Sequence, residues 1–140
     1  MYEIKLIFSS RINKRLSRQL KKKQRLNCFI FHSCCTKRVY YHSIIASAKA
    51  AVEGLAVSIA AEFAPDIRVN CVALSLINSK IAQPILKNAA LAQGIAKAHP
   101  LKRIGEGKDG AALAKFLLTE ESSWVTGQVI AVDGGRSKLS

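Results

Sequence analysis

Four side chains that can bind a metal lie close together in the sequence. Cys28, His32, Cys34 and Cys35 offer thiolate and imidazole groups, the usual ligands of zinc. Zinc ligands, however, usually form pairs in two separate clusters, and the chain has no C-x-x-C pair. We therefore predict no metal site and interpret these cysteines, with Cys71, as small hydrophobic side chains. Reduced thiols of this kind are typical of a cytoplasmic protein.

Basic side chains suggest phosphate binding as a second chemistry. Residues 1–38 hold eleven Lys and Arg against the single acid Glu3, with the densest run at residues 21–25 (KKKQR). Such a segment can present positive charge to nucleic-acid phosphates, which makes a basic nucleic-acid-binding module an alternative function. Charge runs are more often solvated surfaces, and no aromatic side chains alternate with these bases, so we expect no nucleic-acid partner. Residues 9–25 are also compatible with an organelle-targeting presequence.

Length and composition indicate one globular domain preceded by a basic segment. The chain has 140 residues, of which 49% are hydrophobic and 22% charged, and this is enough to bury a core. The net charge of +13 is concentrated near the start. We therefore assign residues 1–26 to a basic, largely helical segment and residues 27–140 to the folded domain. No uninterrupted apolar run approaches the roughly 18 residues of a membrane span, so we expect no membrane association.

Apolar periodicity predicts alternating strands and helices. Strands are expected at residues 2–8, 27–31, 67–73 and 128–132, the last one flanked by glycine turns. Helices are expected over residues 11–25, 43–64, 81–97 and 109–118. Parallel strands joined by helices imply right-handed crossovers, so the predicted fold class is α/β, an open parallel sheet with helices on both faces.

The helix at residues 43–64 is unusually rich in alanine, with few polar positions. Such a helix should be buried on more than one side. We expect a sheet on one face and a partner helix on the other, because alanine lets another backbone approach closely.

Several strings, in this order, resemble the C-terminal half of the short-chain dehydrogenase/reductase family. They are residues 49–55 (KAAVEGL), 67–70 (IRVN), 99–105 (HPLKRIG) and 126–135 (TGQVIAVDGG). The resemblance covers about residues 43–136. It implies part of a Rossmann-like, doubly wound parallel sheet. It also implies hydride transfer between NAD or NADP and an alcohol or carbonyl group of a small-molecule substrate.

The resemblance also assigns candidate site residues. Lys49 matches the family's catalytic lysine, which is part of the cofactor site as well. Ile77 and Ser79 match the positions that contact the nicotinamide end of the cofactor. Residues 27–33 resemble the family strand that carries the catalytic serine, and Ser33 matches that serine. The catalytic tyrosine, four residues before the lysine, is replaced by Ile45, and a hydrocarbon cannot deliver a proton.

Tyr41 is the candidate substitute for that tyrosine. It precedes Lys49 by eight residues, about 12 Å along a helix, which is long for an ammonium group to lower the pKa of a phenol. Residues 42–49 (HSIIASAK) also resemble a divergent branch of the family that carries His there and no Tyr.

Two further departures concern the cofactor site. Leu74 and Ser75 replace the Pro-Gly pair that shapes the nicotinamide loop of the family. The first glycine of the chain is Gly54, so no glycine-rich turn is available to hold a pyrophosphate. We therefore expect a truncated dehydrogenase/reductase-like fragment that is inactive alone. Helix 43–64 would pair it with a second copy or with an intact family member, and in the second case a regulatory partner module is an alternative function.

Overall fold

The computed structural model describes residues 26–33, by their backbone, and residues 43–139. The elements in chain order are strand β1 (Leu26–Ser33), helix α1 (Ser43–Phe63), strand β2 (Ile67–Leu74), helix α2 (Gln83–Leu86), helix α3 (Ala89–Lys97), helix α4 (Gly107–Leu118) and strand β3 (Val129–Val132). Single 3₁₀ turns cover Lys80–Ala82 and Glu120–Ser122. The strand predicted at residues 2–8 and the helix predicted at 11–25 lie outside the described residues.

The described strands form one parallel sheet in the order β1-β2-β3. Ser33 at the end of β1 lies opposite Leu74 at the end of β2, and Leu74 also lies opposite Val132 at the end of β3. The three carboxyl ends therefore meet at one edge of the sheet. This confirms the predicted parallel α/β architecture.

Helices cover both faces of the central strand β2. Successive side chains of a strand point to opposite faces. On one face, Cys71 packs against Ala56 of α1, and Ile67 and Val69 pack with Ala60 of the same helix. On the other face, Leu74 contacts Gly110 of α4 so closely that a Cβ at this glycine would lie 2.9 Å from Leu74 Cδ2. The predicted covering of both faces is confirmed.

Two polar side chains of β2 hold the segment that leads into β3. Asn70 is 1% exposed; its Nδ2 donates to Val125 O (3.0 Å) and its Oδ1 accepts from Gln128 N–H (3.1 Å). The Arg68 guanidinium donates to Val125 O (2.9 Å) and to Leu117 O (2.8 Å) at the end of α4. A buried polar group is tolerated only when it is hydrogen-bonded, so these contacts allow β3 to align with β2.

Glycine turns flank β3, as the sequence predicts. Gly127 before the strand and Gly134 and Gly135 after it have φ values of 69°, 63° and 85°. Residues with a side chain rarely adopt this left-handed backbone region, which explains why glycine is found at all three positions. Asp133 closes the second turn, because its carboxylate accepts from the amides of Gly135 (2.9 Å) and Ser137 (2.8 Å).

The expectation that α1 is buried on more than one side is wrong for the described part of the chain. Only Ala56 and Ala60 of this helix are buried, both on the face that packs on β2. On the far side Ile44 is 83% exposed, because no described element covers it. A high alanine content indicates that another element could pack closely against the helix, but it does not show that such an element is present.

The helix predicted at residues 81–97 is interrupted, which corrects the sequence prediction. Residues 80–86 form a 3₁₀ turn followed by α2, and α3 begins anew at Ala89. Asn88 has an extended backbone, and its side chain accepts a hydrogen bond from Leu91 N–H (3.1 Å). This N-cap satisfies an amide that a continuous helix would bond internally, so Asn88 starts a second helix.

By length and composition, α1 is also a candidate for crossing a membrane. Its 21 residues reach that length although Lys49, Glu53 and Glu62 interrupt the apolar run, which is why a search for uninterrupted runs missed it. The core helix of a soluble domain meets the same criterion. Ala56 and Ala60 of α1 pack on β2, and the other described residues of this helix are exposed or half-buried.

Replacing Asn70 with Ala should lower the free energy of unfolding by about 2–3 kcal/mol, because Gln128 N–H loses its buried partner and Val125 O loses one of its donors. Urea titration followed by circular dichroism measures this. Asn78→Ala is the matched control, since Asn78 is exposed and its side chain bonds only to exposed Gln83; its effect should stay within about 0.5 kcal/mol. Equal losses in both variants would contradict the role given to Asn70.

Candidate functional site

A cleft of about 510 Å³ opens at the edge where the strands end. Its walls come from the loop after β2, the segment before α4, the first turns of α4 and the end of β3. In open parallel sheets this edge is where ligands usually bind. The cleft is therefore the candidate site.

The loop after β2 keeps a defined position although it lacks the family's Pro-Gly pair. Leu74 fits against Gly110 of α4, and Ser75 Oγ lies 2.8 Å from His99 Nε2. One contact anchors the loop to a helix and the other to the segment before α4. Leu74 and Ser75 thus supply by packing and hydrogen bonding what proline and glycine would supply by backbone geometry.

Ile77 lies in the cleft and is held by a short parallel bridge to Gly105. Asn78 N–H donates to Gly105 O (2.8 Å), and Gly105 N–H donates to Leu76 O (3.2 Å). On this side of the bridge the bonds are made by the N–H of Asn78 and the C=O of Leu76. The N–H and C=O of Ile77 itself therefore point away from Gly105. Gly105 is needed for this approach, since a Cβ there would lie 2.9 Å from Ile77 Cγ2.

Lys49 and Ile45 lie one turn apart on α1, as the sequence predicts. Ile45 is 48% exposed, and Lys49 is half-buried. Burial raises the pKa of the Cys71 thiol on β2 to about 11; the negative charge of Glu53 adds to this shift, and the positive charge of Lys49 opposes it. Lys49 is therefore close enough to β2 to act on Cys71, but in the described part of the chain it does not line the cleft.

The remaining predicted site residues are distributed as follows. Ser79 precedes the 3₁₀ turn at Lys80–Ala82 in an extended conformation, two residues after Ile77, and does not line the cleft either. Ser33 ends β1 opposite Leu74, so its backbone stands at the correct edge of the sheet. Tyr41 lies outside the described residues, as does the basic run at residues 21–25.

For metals, the described residues contain no group of three His, Cys, Asp or Glu that could hold an ion. Cys34 and Cys35 lie outside those residues, and Cys28 and His32 lie on β1, which is described by its backbone. The prediction that the chain has no metal site stays a prediction.

Sequence reasoning missed two features of the cleft. His99 is 2% exposed, with Nδ1 2.7 Å from Ile95 O and Nε2 bonded to Ser75. Arg103 makes a two-pronged contact to Asp109 (2.7 and 2.9 Å). Both residues belong to the string HPLKRIG, which resembles a loop of the family but does not reveal these contacts.

Hydrogen bonding lowers the pKa of the Asp109 carboxyl group. The Arg103 guanidinium, and then the Glu106 N–H (2.7 Å), hold the pKa of this carboxyl well below its usual range. Asp109 and Glu106 together form a capping box at the start of α4. The first turn of α4 is thus already occupied by carboxylates.

Replacing Arg103 with Ala should move the pKa of Asp109 upward, toward the ordinary value of about 3.9. A lowered folded-state pKa stabilises the protein above the unfolded value, and this contribution is lost as pH falls through the folded value. The variant should therefore lose stability relative to wild type near neutral pH, and this difference should shrink in acid. Carboxyl-carbon NMR titration and unfolding at several pH values measure the two effects.

Lys108→Ala is the control, because Lys108 pairs with Glu106 (2.7 Å) and has only a minor effect on the pKa of Asp109. An Asp109 pKa that is the same in Arg103→Ala and wild type would show that Arg103 does not set it.

Known proteins share sequence with most of this chain. The family model described as "Enoyl-(Acyl carrier protein) reductase" matches residues 13–137. A short-chain type dehydrogenase/reductase of Sinorhizobium fredii, named as uncharacterized, is 47% identical over 90 residues, which are 64% of this chain and 35% of that protein. This chain thus spans about a third of that curated relative's length.

Solved structures show the same fold. A short-chain type dehydrogenase/reductase from Mycobacterium ulcerans has a TM-score of 0.81 at 31% identity, covering 90% of this chain and 46% of that chain. A gluconate 5-dehydrogenase from Burkholderia cenocepacia, solved in complex with NADP and tartrate, has a TM-score of 0.81 at 22% identity, covering 92% and 51%. The parallel sheet, the ordered strings and the family match lead to one conclusion: this chain belongs to the short-chain dehydrogenase/reductase family of oxidoreductases.

Proposed function

We propose that this chain is a dehydrogenase/reductase-like protein that keeps part of the nicotinamide end of the family's cofactor site and does not transfer hydride by itself. The observation that carries this proposal is Ile45. It stands one helical turn before Lys49, at the position from which the family's tyrosine would protonate the substrate. A general acid must reach the reacting oxygen with a transferable proton, and isoleucine has none.

The described residues fit one end of NAD or NADP better than the other. The backbone N–H and C=O of Ile77 point away from Gly105, so they are directed to offer a donor and an acceptor to a carboxamide. By resemblance Ser79 and Lys49 match family positions at the same end of the cofactor, although neither lines the described cleft. When bound, the nicotinamide ring would supply or accept the hydride.

The phosphate end of the cofactor fits poorly. A dinucleotide's pyrophosphate normally sits at a helix N-terminus that is reached through a glycine turn. The first glycine of the chain, Gly54, lies inside α1, and the first turn of α4 carries the carboxylates of Glu106 and Asp109. Negative charge there opposes phosphate binding. We therefore derive no reaction step through the cofactor for this chain alone.

The curated relative is longer than this chain, so a complete site would need further elements of the family fold. We propose α1 as the surface that contacts a polypeptide carrying those elements. Its outward side carries small exposed residues: Ser47, Ala50, Ala51, Gly54, Ser58 and Ala61. Small side chains allow another helix to approach closely, and a long apolar helix with one open face is typical of an interface. The partner would be a second copy or an intact family member, and the joint reaction would be reversible carbonyl reduction of a small molecule.

Cofactor binding tests the first part of the proposal. Isothermal calorimetry and fluorescence titration of the purified chain with NADH and NADPH should show no saturable binding in the micromolar range, because no glycine precedes Gly54 to form the turn that normally holds a pyrophosphate. An intact family member titrated in parallel serves as the positive control. Saturable micromolar binding to this chain would overturn the proposal.

A substitution on α1 tests the second part. Ala51→Lys should abolish self-association in light scattering, or co-purification with a co-expressed intact family member, because a lysine at a close helix contact must be displaced or buried. Ala90→Lys, on the exposed side of α3, is the matched control and should leave association unchanged. A wild-type chain that is monomeric and retains no family member would rule the interface out.

A further inference from the structure

Ser75 and His99 form a hydrogen-bonded pair in the cleft, 24 residues apart in sequence. The imidazole is fixed on both sides. Its Nδ1 lies 2.7 Å from Ile95 O, and because a carbonyl oxygen can only accept, Nδ1 carries the proton. In the neutral ring Nε2 is then the acceptor, and the Ser75 hydroxyl donates to it over 2.8 Å.

The surroundings of His99 suit a base rather than a surface side chain. His99 is 2% exposed and packs against Gly134, where a Cβ would lie 3.5 Å from the imidazole Cδ2. The nearby carboxylate of Asp133 is 8% exposed. Burial acts to raise the pKa of Asp133, but hydrogen bonds from Ser137 and Gly135 and the charge interaction with His99 lower it overall.

Ser75 itself is reachable. It is partly exposed and lines the cleft together with His99, Arg103 and Lys108. The family has glycine at this position, so the hydroxyl is a departure of this chain, and neither hydride transfer nor cofactor binding requires it. A hydroxyl that donates to a fixed, proton-accepting imidazole is the arrangement that activates a serine nucleophile.

We propose that Ser75 is a nucleophile for acyl transfer, with His99 as its general base, and that the cleft accepts small carboxylic esters. Ser75 Oγ would bond to the ester carbonyl carbon while its proton moves to His99 Nε2. The ester C–O bond would then break, and the departing alcohol would take that proton. Water would then bond to the acyl carbon and give one proton to Nε2. The acyl C–Oγ bond would break, the carboxylic acid would leave, and the proton on Nε2 would return to Ser75 Oγ.

The rest of the cleft is compatible with this chemistry. Arg103 and Lys108 place positive charge on its wall, and positive charge favours the negative oxygen of a tetrahedral intermediate. Both cations are paired, Arg103 with Asp109 and Lys108 with Glu106, so their effect is reduced but not removed. The cleft volume of about 510 Å³ is sufficient for a small ester.

Covalent labelling of the full 140-residue chain tests the proposal. A fluorophosphonate probe, which reacts with activated serines, should modify Ser75 in preference to the exposed Ser123, as read by peptide mass spectrometry. The chain should also release p-nitrophenolate from p-nitrophenyl acetate. Ser75→Ala should lose both the adduct and this activity, while Ser123→Ala should keep them. His99→Gln should slow labelling of Ser75 by about tenfold or more, because the base is removed.

Labelling of Ser75 no faster than that of Ser123, or ester hydrolysis unchanged in Ser75→Ala, would overturn the proposal and leave the pair as a packing contact. The comparison of the two serines within the wild-type chain decides the question even where His99→Gln fails to fold. Serine labelling and ester hydrolysis are measured without NADH or NADPH. The proposal for Ser75 and the proposal that the chain does not transfer hydride alone can therefore fail separately.

Discussion

The buried amide of Asn70 is the contact on which the described sheet depends. An amide that is 1% exposed costs free energy unless each polar atom has a partner, and here one atom binds Val125 O and the other binds Gln128 N–H. These bonds bring the last strand alongside β2 before the regular ladder begins at Cys71 and Val129. Arg68 adds a second tie, from β2 to the end of α4. The central strand thus positions both its neighbouring strand and a covering helix.

The cleft follows from that alignment. Because the parallel strands end at one edge, the loops after β2 and β3 face each other, and the segment before α4 fills the space between them. Leu74 against Gly110 and Ser75 against His99 keep the first loop in place without the family's Pro-Gly pair. Ile45 and Ser75 are the two changes with chemical consequences: one removes a proton donor and the other introduces a hydroxyl.

Local pattern was sufficient for most of the fold. The strands at residues 67–73 and 128–132 and the helix at 43–64 were predicted within one or two residues, because β-branched runs, glycine turns and a proline mark their limits. The helical pattern does not predict the break at Asn88, because the alanines that follow this residue continue the pattern. The hydrogen bond by which the Asn88 side chain caps the second helix cannot be recognised from composition. The burial of α1 was overestimated because composition does not say which neighbour is present.

The chemistry of the site was harder to predict than its elements. Lys49, Ile77 and Ser79 were assigned through the family strings, and of these the structure places only Ile77 in the cleft. His99 and Ser75 could not be paired from sequence, because their contact depends on how the loop after β2 meets the segment before α4. Contacts of this kind arise from tertiary packing and leave no short-range signal.

With isoleucine at the proton-donor position and no glycine before Gly54 to form a pyrophosphate-binding turn, the chain is proposed not to transfer hydride alone. The most direct test incubates the purified chain with a ketone and NADPH deuterated at the transferable position, and then analyses the products by mass spectrometry. No deuterated alcohol is expected above a protein-free control. Deuterated alcohol formed in proportion to the amount of chain would contradict it.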